Sequence, residues 1–73
     1  MWFFVFRVNI TTTGTQNNSI QKYEDETAAY KRYYNILAAD IDSDNYLFEL
    51  VQVVRDDGIV LASQVFDNRS TGV

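Results

Sequence analysis

The stretch Glu24–Ile41, EDETAAYKRYYNILAADI, decides the fold of this 73-residue chain. Its apolar and aromatic residues recur at intervals of three and four, which is typical of one face of an α-helix with a period of about 3.6 residues. Asp25 is the expected N-cap, because its carboxylate can accept hydrogen bonds from the first free amides of the helix. The stripe predicted to face the core consists of Tyr23, Thr27, Tyr30, Tyr34, Leu37 and Ile41.

The segment 2–10 precedes the helix and alternates with the period of a β-strand. One face is hydrophobic throughout and is expected to meet the helix; it carries Trp2, Phe4, Phe6, Val8 and Ile10. The other face begins apolar with Phe3 and Val5 and ends polar. A turn with Gly14 follows, and the segment 19–23 predicts a short second strand at an edge of the sheet.

Two further strands, 46–55 and 59–66, follow the helix and a polar turn over 42–45. The turn between them, Asp56-Asp57-Gly58, is typical of a β-hairpin. A two-residue turn would place Leu50 opposite Val65 and Val54 opposite Leu61, whereas a three-residue turn would place Phe48 opposite Phe66. The sequence leaves both registers open. The polar segment 67–73 is expected to fray.

These elements predict a single α+β domain over residues 1–73, in the order β-(β)-α-β-β. We expect a three- to four-stranded, mostly antiparallel sheet with one amphipathic helix on one face. The loop lengths fit both a parallel and an antiparallel placement of the first strand, so the strand order stays open at this point. A chain of this length buries only about 60% of the surface that it exposes when unfolded, so the core is small.

One helix cannot cover both faces of such a sheet, and an uncovered apolar face usually marks an interface. Small domains without disulfides or metals often depend on a partner chain. We therefore predict a homodimer through the uncovered face or through the edge of the first strand. Tyr33, beside Lys31 and Arg32, fits the core and an interface equally well. The predicted interface residues are Phe3, Val5, Leu47, Val51, Val53, Tyr33 and Arg32.

The amino-acid composition excludes several classes of function. The chain has 47% hydrophobic and 22% charged residues, which is typical of a globular domain. The net charge of −4 argues against direct binding to a nucleic-acid phosphate backbone. There is no histidine or cysteine, hence no disulfide, no expected metal site and little with which to build a catalytic centre. The start of a calcium loop at Asp40–Asp44 lacks the glycine and glutamate that the pattern requires. No cofactor is expected.

The sequence also lacks a signal peptide and a spanning segment, so we expect a cytoplasmic protein that does not bind a membrane. Acidity and the absence of catalytic side chains favour a non-enzymatic protein-binding module. The alternative is a dimer that sequesters a nucleotide signal, with Arg7, Arg55 and Tyr33 as its ligand-binding residues. A third possibility is a minor virion or assembly component.

Three stretches taken together resemble short uncharacterised proteins of tailed phages and prophages of gut bacteria. They are YYNILAADI at 33–41, VVRDDGI at 53–59 and VFDNR at 65–69. The resemblance implies no known activity. It implies a phage context inside a bacterial host cell, where small acidic proteins often bind a host protein, for example to inhibit a defence system.

Overall fold

The computed structural model describes residues 1–40 and 45–67. Three predicted features lie wholly or partly outside these residues: the last residue of the helix, Ile41, most of the turn over 42–45, and the frayed tail 67–73. Of that tail only Asp67 is described, and it ends the last strand rather than fraying. The elements are β1 (Phe3–Thr11), β2 (Gln16–Tyr23), α1 (Glu26–Asp40), β3 (Tyr46–Arg55) and β4 (Val60–Asp67). They form a four-stranded antiparallel sheet in the order β2-β1-β3-β4, with α1 packed on one face, which confirms the predicted α+β fold.

β1 lies in the centre of the sheet, antiparallel to both β2 and β3. The parallel alternative is thereby excluded, and the prediction of a dimer through the edge of the first strand is wrong, because β1 has no free edge. β2 is an edge strand as predicted, but it begins at Gln16 and not at residue 19. A tight turn joins β1 to β2: the Gly14 amide donates to the Thr11 carbonyl at 2.9 Å, and Gly14 has φ of +90°.

The β3–β4 hairpin combines the two registers that the sequence left open. Next to the turn, Val54 lies opposite Val60, as a three-residue loop requires, and Gly58 has φ of +91°. A bulge between this pair and Val53 then shifts the register by one residue. Beyond it, Leu50 lies opposite Val65, which is the pairing of the two-residue turn. Phe48 consequently lies opposite Asp67 and not Phe66.

The two faces of β1 are reversed relative to the prediction. Phe3 and Val5 lie under α1, with exposed fractions of 7% and 1%, and Val51 and Val53 of β3 lie beside them. The physical reason is close approach: Ala29 of α1 is fully buried in the same cluster, and its small side chain lets the helix lie near the β-branched valines. The face of Phe4 and Phe6, which was predicted to meet the helix, is the uncovered one.

The core stripe of α1 is also turned relative to the prediction. Its buried residues are Ala29, Tyr33 and Ile36, with Tyr30 and Leu37 packed at their sides. Tyr34, predicted to face the core, is 60% exposed, and Thr27 is exposed as well. Tyr33 is therefore a core residue, and burial together with the neighbouring tyrosines raises the pKa of its hydroxyl.

Asp25 caps α1 as predicted. Its carboxylate accepts a hydrogen bond from the Thr27 amide at 3.2 Å, and its carbonyl accepts one from the Ala29 amide at 3.1 Å. We expect Asp25→Ala to lower the free energy of unfolding by about 1 kcal/mol, because the first amides lose their acceptor. Urea denaturation followed by circular dichroism measures this. Asp25→Asn, which keeps the acceptor, should unfold close to wild type; an equal loss in both variants would contradict the capping role.

Candidate functional site: the open face of the sheet

The sheet face opposite α1 is covered by nothing in the chain's described part. We call it the open face. The pairing registers place four residues of each strand on it, in four rows across the sheet. The rows are Lys22–Phe4–Val54–Val60, Ile20–Phe6–Gln52–Ser63, Asn18–Val8–Leu50–Val65 and Gln16–Ile10–Phe48–Asp67.

The middle of the open face is apolar and aromatic. The rings of Phe4 and Phe6 lie 6.4 Å apart, centroid to centroid, on β1. The central side chains are partly shielded by their neighbours, whereas the outer strands stand further out: Ile20 is 62% exposed and Val65 47%. A four-stranded antiparallel sheet commonly buries one face and leaves the other polar and solvated. Here the second face is apolar as well, which sets it apart from an ordinary solvent-facing sheet.

The polar side chains on the open face are engaged with one another. Gln52 donates through Nε2 to Oγ of Ser63 at 3.2 Å, on neighbouring strands. At one corner, Nζ of Lys22 lies 4.1 Å from the ring centroid of Trp2, as a cation–π pair. These contacts give Gln52 and Ser63 a hydrogen bond and Lys22 an aromatic partner, which offsets part of the cost of burying these groups against another surface.

Most of the predicted interface residues are not on this face. Phe3, Val5, Val51, Val53 and Tyr33 form the core beneath α1, so their assignment to an uncovered face is wrong. The prediction of an uncovered apolar face remains, but it applies to the other side of the sheet. Of the remaining two, Leu47 is half-buried, and Arg32 is half-buried on α1, where its Nε donates to Oε1 of Gln21 at 2.7 Å.

The residues of the predicted nucleotide site do not come together. Tyr33 is buried in the core, whereas Arg55 lies at the β3–β4 turn in an ion pair with Asp57. Phe3 is the β1 neighbour of Arg55, so Arg7 lies four residues further along the strand, about 13 Å away. No pocket opens among residues 1–40 and 45–67.

Arg7 instead belongs to a second site, a charged cluster under the last turn of α1. Its guanidinium Nη2 donates to Oδ2 of Asp40 at 2.6 Å and to the hydroxyl of Tyr46 at 3.2 Å. Nε of the same guanidinium lies 3.5 Å from Oε1 of Glu49. The Glu49 side chain is only 1% exposed, and neither of its oxygens has a hydrogen-bond partner among the described residues. On β1, Asn9 lies directly opposite Glu49 and is 4% exposed.

The surroundings of Glu49 favour its neutral form. Burial is the main cause that raises the pKa of Glu49 to about 8; the nearby Asp40 carboxyl adds to the rise, and the Arg7 guanidinium opposes it. For Arg7, burial lowers the pKa, but the carboxylates of Glu49 and Asp40 outweigh it, so the net direction is upward. Since Arg7 contacts two carboxyls at once, it holds the helix end against β1 and β3.

Sequence reasoning missed this cluster, although a signal was present. Glu49 alternates with Val51 and Val53 along β3 and so had to share their buried face. Arg7 stands in the same relation to Phe3 and Val5 on β1. Arg7 and Glu49 therefore had to lie on the same buried face of the sheet, on two strands. The antiparallel pairing of β1 with β3 brings these two opposite charges close together.

The described residues contain no group of three histidine, cysteine, aspartate or glutamate side chains arranged to hold a metal ion. Within the same ranges, no helix has the length and apolar character needed to cross a membrane. Comparison of the chain with protein-family models, curated proteins and solved structures yields no match. The resemblance to small phage proteins accordingly stays a prediction, and the open face and the charged cluster are the features from which function is argued.

Proposed function

We propose that this chain is a non-enzymatic protein-binding module whose binding surface is the open face of the sheet. The observation that carries the proposal is the mostly apolar middle of that face, formed by Phe4, Phe6, Val8, Leu50 and Val54 around Gln52. A contiguous apolar patch that is rimmed by polar residues commonly marks a contact between proteins. Aromatic side chains near the middle of such a patch are the residue type that most often dominates binding energy.

In this proposal the charged cluster stabilises the fold and takes no part in binding. It lies on the helix side of the sheet, below α1, and Glu49 is closed to solvent. A partner on the open face would therefore contact neither Arg7 nor Asp40. The nucleotide-binding alternative loses its support, since Arg7, Arg55 and Tyr33 lie in three different environments.

The proposal is tested by a pair of variants that add the same residue at two places. Leu50→Lys places a charge in the middle of the open face, and Tyr34→Lys places one on the exposed side of α1, where the tyrosine is 60% exposed. Both should keep the fold, because neither side chain is in the core. We expect proteins retained from bacterial lysate by immobilised wild type and by Tyr34→Lys to be lost with Leu50→Lys.

Retention of lysate proteins by wild type alone does not support the proposal. The test depends on the difference in retained proteins between Leu50→Lys and Tyr34→Lys. A set of retained proteins that Leu50→Lys leaves unchanged would contradict the proposal, as would a set that only Tyr34→Lys removes. Circular dichroism of all three proteins excludes unfolding as the reason for a loss. A host defence protein as the partner class rests on the resemblance to phage proteins alone, and the same experiment, followed by mass spectrometry of the lost proteins, tests it. Presence of the chain in purified phage particles would instead favour the virion alternative.

A further inference from the structure

We propose that the open face is occupied, in the free protein, by a second copy of this chain, with the two sheets packed face to face. This inference rests on the proposed function, because it names the occupant of the proposed binding surface. The result would be an eight-stranded sandwich with one α1 on each outer side. Three properties of the open face carry the inference: its area, its distribution of charge and its polar contacts.

The area is sufficient for a dimer. Four strands about 4.8 Å apart and four rows of side chains about 6.7 Å apart give a footprint of about 500 Å² on each copy. Two copies would therefore bury about 1,000 Å² in total, which reaches the lower limit for a specific interface. Two sheets of identical twist also fit each other, since face-to-face sheets pack about 10 Å apart with their strands inclined by about 30° or crossing near 90°.

The charge distribution permits two acidic copies to meet on this face. Each copy has a net charge of −4, so most approaches bring carboxylates together. On the open face, the ionisable residues are Lys22 and Asp67, and the registers place them at diagonally opposite corners. The other acidic residues of the described ranges lie elsewhere: at the start of α1, in the charged cluster beneath it and at the β3–β4 turn. The middle of the open face therefore approaches its copy without charge repulsion.

Several polar side chains of the open face already have hydrogen-bond partners within the chain. Gln52 and Ser63 bond to each other, and Nε2 of Gln16 donates to Oδ1 of Asn18 at 3.4 Å. A buried polar group costs much less when it already has a hydrogen-bond partner. Gln52 lies among the four central positions of the face, next to Leu50, Phe6 and Val8. In a symmetric pair the two-fold axis passes through this centre, so the two copies of residue 52 would lie near each other.

A cross-linking experiment tests the arrangement directly. The chain has no cysteine, so Gln52→Cys introduces a single reactive thiol in the centre of the face. Asn35→Cys introduces one on the exposed side of α1 as the matched control. With a short bismaleimide cross-linker, we expect most of Gln52→Cys to migrate as a covalent dimer and Asn35→Cys to stay monomeric. Equal cross-linking of both variants, or cross-linking of Asn35→Cys alone, would overturn the inference.

Sedimentation velocity over a concentration series supplies the second measurement. Wild type and Tyr34→Lys should sediment as dimers, and Leu50→Lys should raise the dissociation constant on the order of 100-fold, as loss of a central contact does. A wild-type monomer at every concentration, or a dimer that Leu50→Lys leaves intact, overturns the inference. The proposed function fails separately: if the dimer depends on Leu50 but lysate capture does not, the second copy is right and the wider binding role is wrong. If capture depends on Leu50 while wild type is a monomer, the binding role is right and the second copy is wrong.

Discussion

Replacement of Arg7 by methionine is expected to lower the free energy of unfolding by about 3–5 kcal/mol at pH 7. Arg7 is the cation of a cluster that holds two carboxyls, Asp40 and Glu49, under the end of α1. Methionine fills a similar volume but leaves the largely buried Asp40 carboxylate without its cation, and it removes the positive charge that opposes the rise in the pKa of Glu49. A domain of this size has a total stability of about 4–11 kcal/mol, so the variant is expected to be at or near its unfolding threshold. Urea denaturation followed by circular dichroism gives the value.

Arg55→Met is the matched control. Arg55 makes an ion pair as well, with Asp57, but this pair lies at the β3–β4 turn with its side chains 30% and 43% exposed, so water screens it more than the Arg7–Asp40 pair. Exposed pairs contribute little, so this variant should unfold with wild type. The double variant Arg7→Met/Glu49→Gln should recover part of the loss, because glutamine is neutral and, unlike Glu49, does not have to take up a proton on folding at pH 7. An Arg7→Met protein as stable as Arg55→Met would show that the cluster is not a source of stability.

Local patterns in the sequence predicted the elements and their order. The strand over Tyr46–Arg55 begins and ends where the structure has it. The helix was placed within two residues of its observed start, because Asp25 is a strong capping residue and its hydrogen bond to Thr27 forms as expected. Turn residues with positive φ, Gly14 and Gly58, fixed the two hairpins. These features depend on neighbours in the chain, which a sequence displays directly.

Which face of β1 meets α1 could not be predicted in the same way. Both faces of β1 begin with aromatic and β-branched residues, so alternation alone does not say which one meets α1. The more hydrophobic face was favoured, yet the helix covers the face of Phe3 and Val5. The deciding property is fit: Ala29 and Ile36 pack closely against Val51 and Val53. The same face continues into Arg7, whose charge is satisfied only through residues that are distant in the chain.

The prediction of which helix residues face the core was wrong for a related reason. Tyrosine suits both the core and the surface, so a run such as Tyr30-Lys31-Arg32-Tyr33-Tyr34 fits more than one rotation of the helix. The structure buries Tyr33 and exposes Tyr34, with their rings 5.1 Å apart in an edge-to-face contact. The sequence accordingly left Tyr33 open between the core and an interface, and the structure places it in the core. The existence of an uncovered face was thus predictable from the helix count, and its identity was not.

Glu49→Gln is expected to make the protein more stable than wild type at alkaline pH and to remove a pH dependence. In the folded state burial raises the pKa of Glu49 to about 8, from an ordinary value of 4.5. Between these two values the folded state binds a proton at Glu49 that the unfolded state releases. The free energy of unfolding therefore falls as the pH rises from about 4.5 to about 8 and changes little from this group outside that window. Glutamine resembles the protonated form and does not titrate.

The expected difference between Glu49→Gln and wild type is below about 1 kcal/mol at pH 5 and grows to about 4–5 kcal/mol in favour of the variant at pH 8.5. Urea denaturation at a series of pH values between 5 and 8.5 measures it; every other titrating group is common to both proteins and cancels in the difference. Glu24→Gln, which removes the same charge from an exposed site before α1, should run parallel to wild type. A Glu49→Gln curve parallel to wild type would mean that Glu49 is ionised throughout. The Arg7 guanidinium would then outweigh burial, and the cluster would be a fully charged triad in which Arg7 balances two carboxylates.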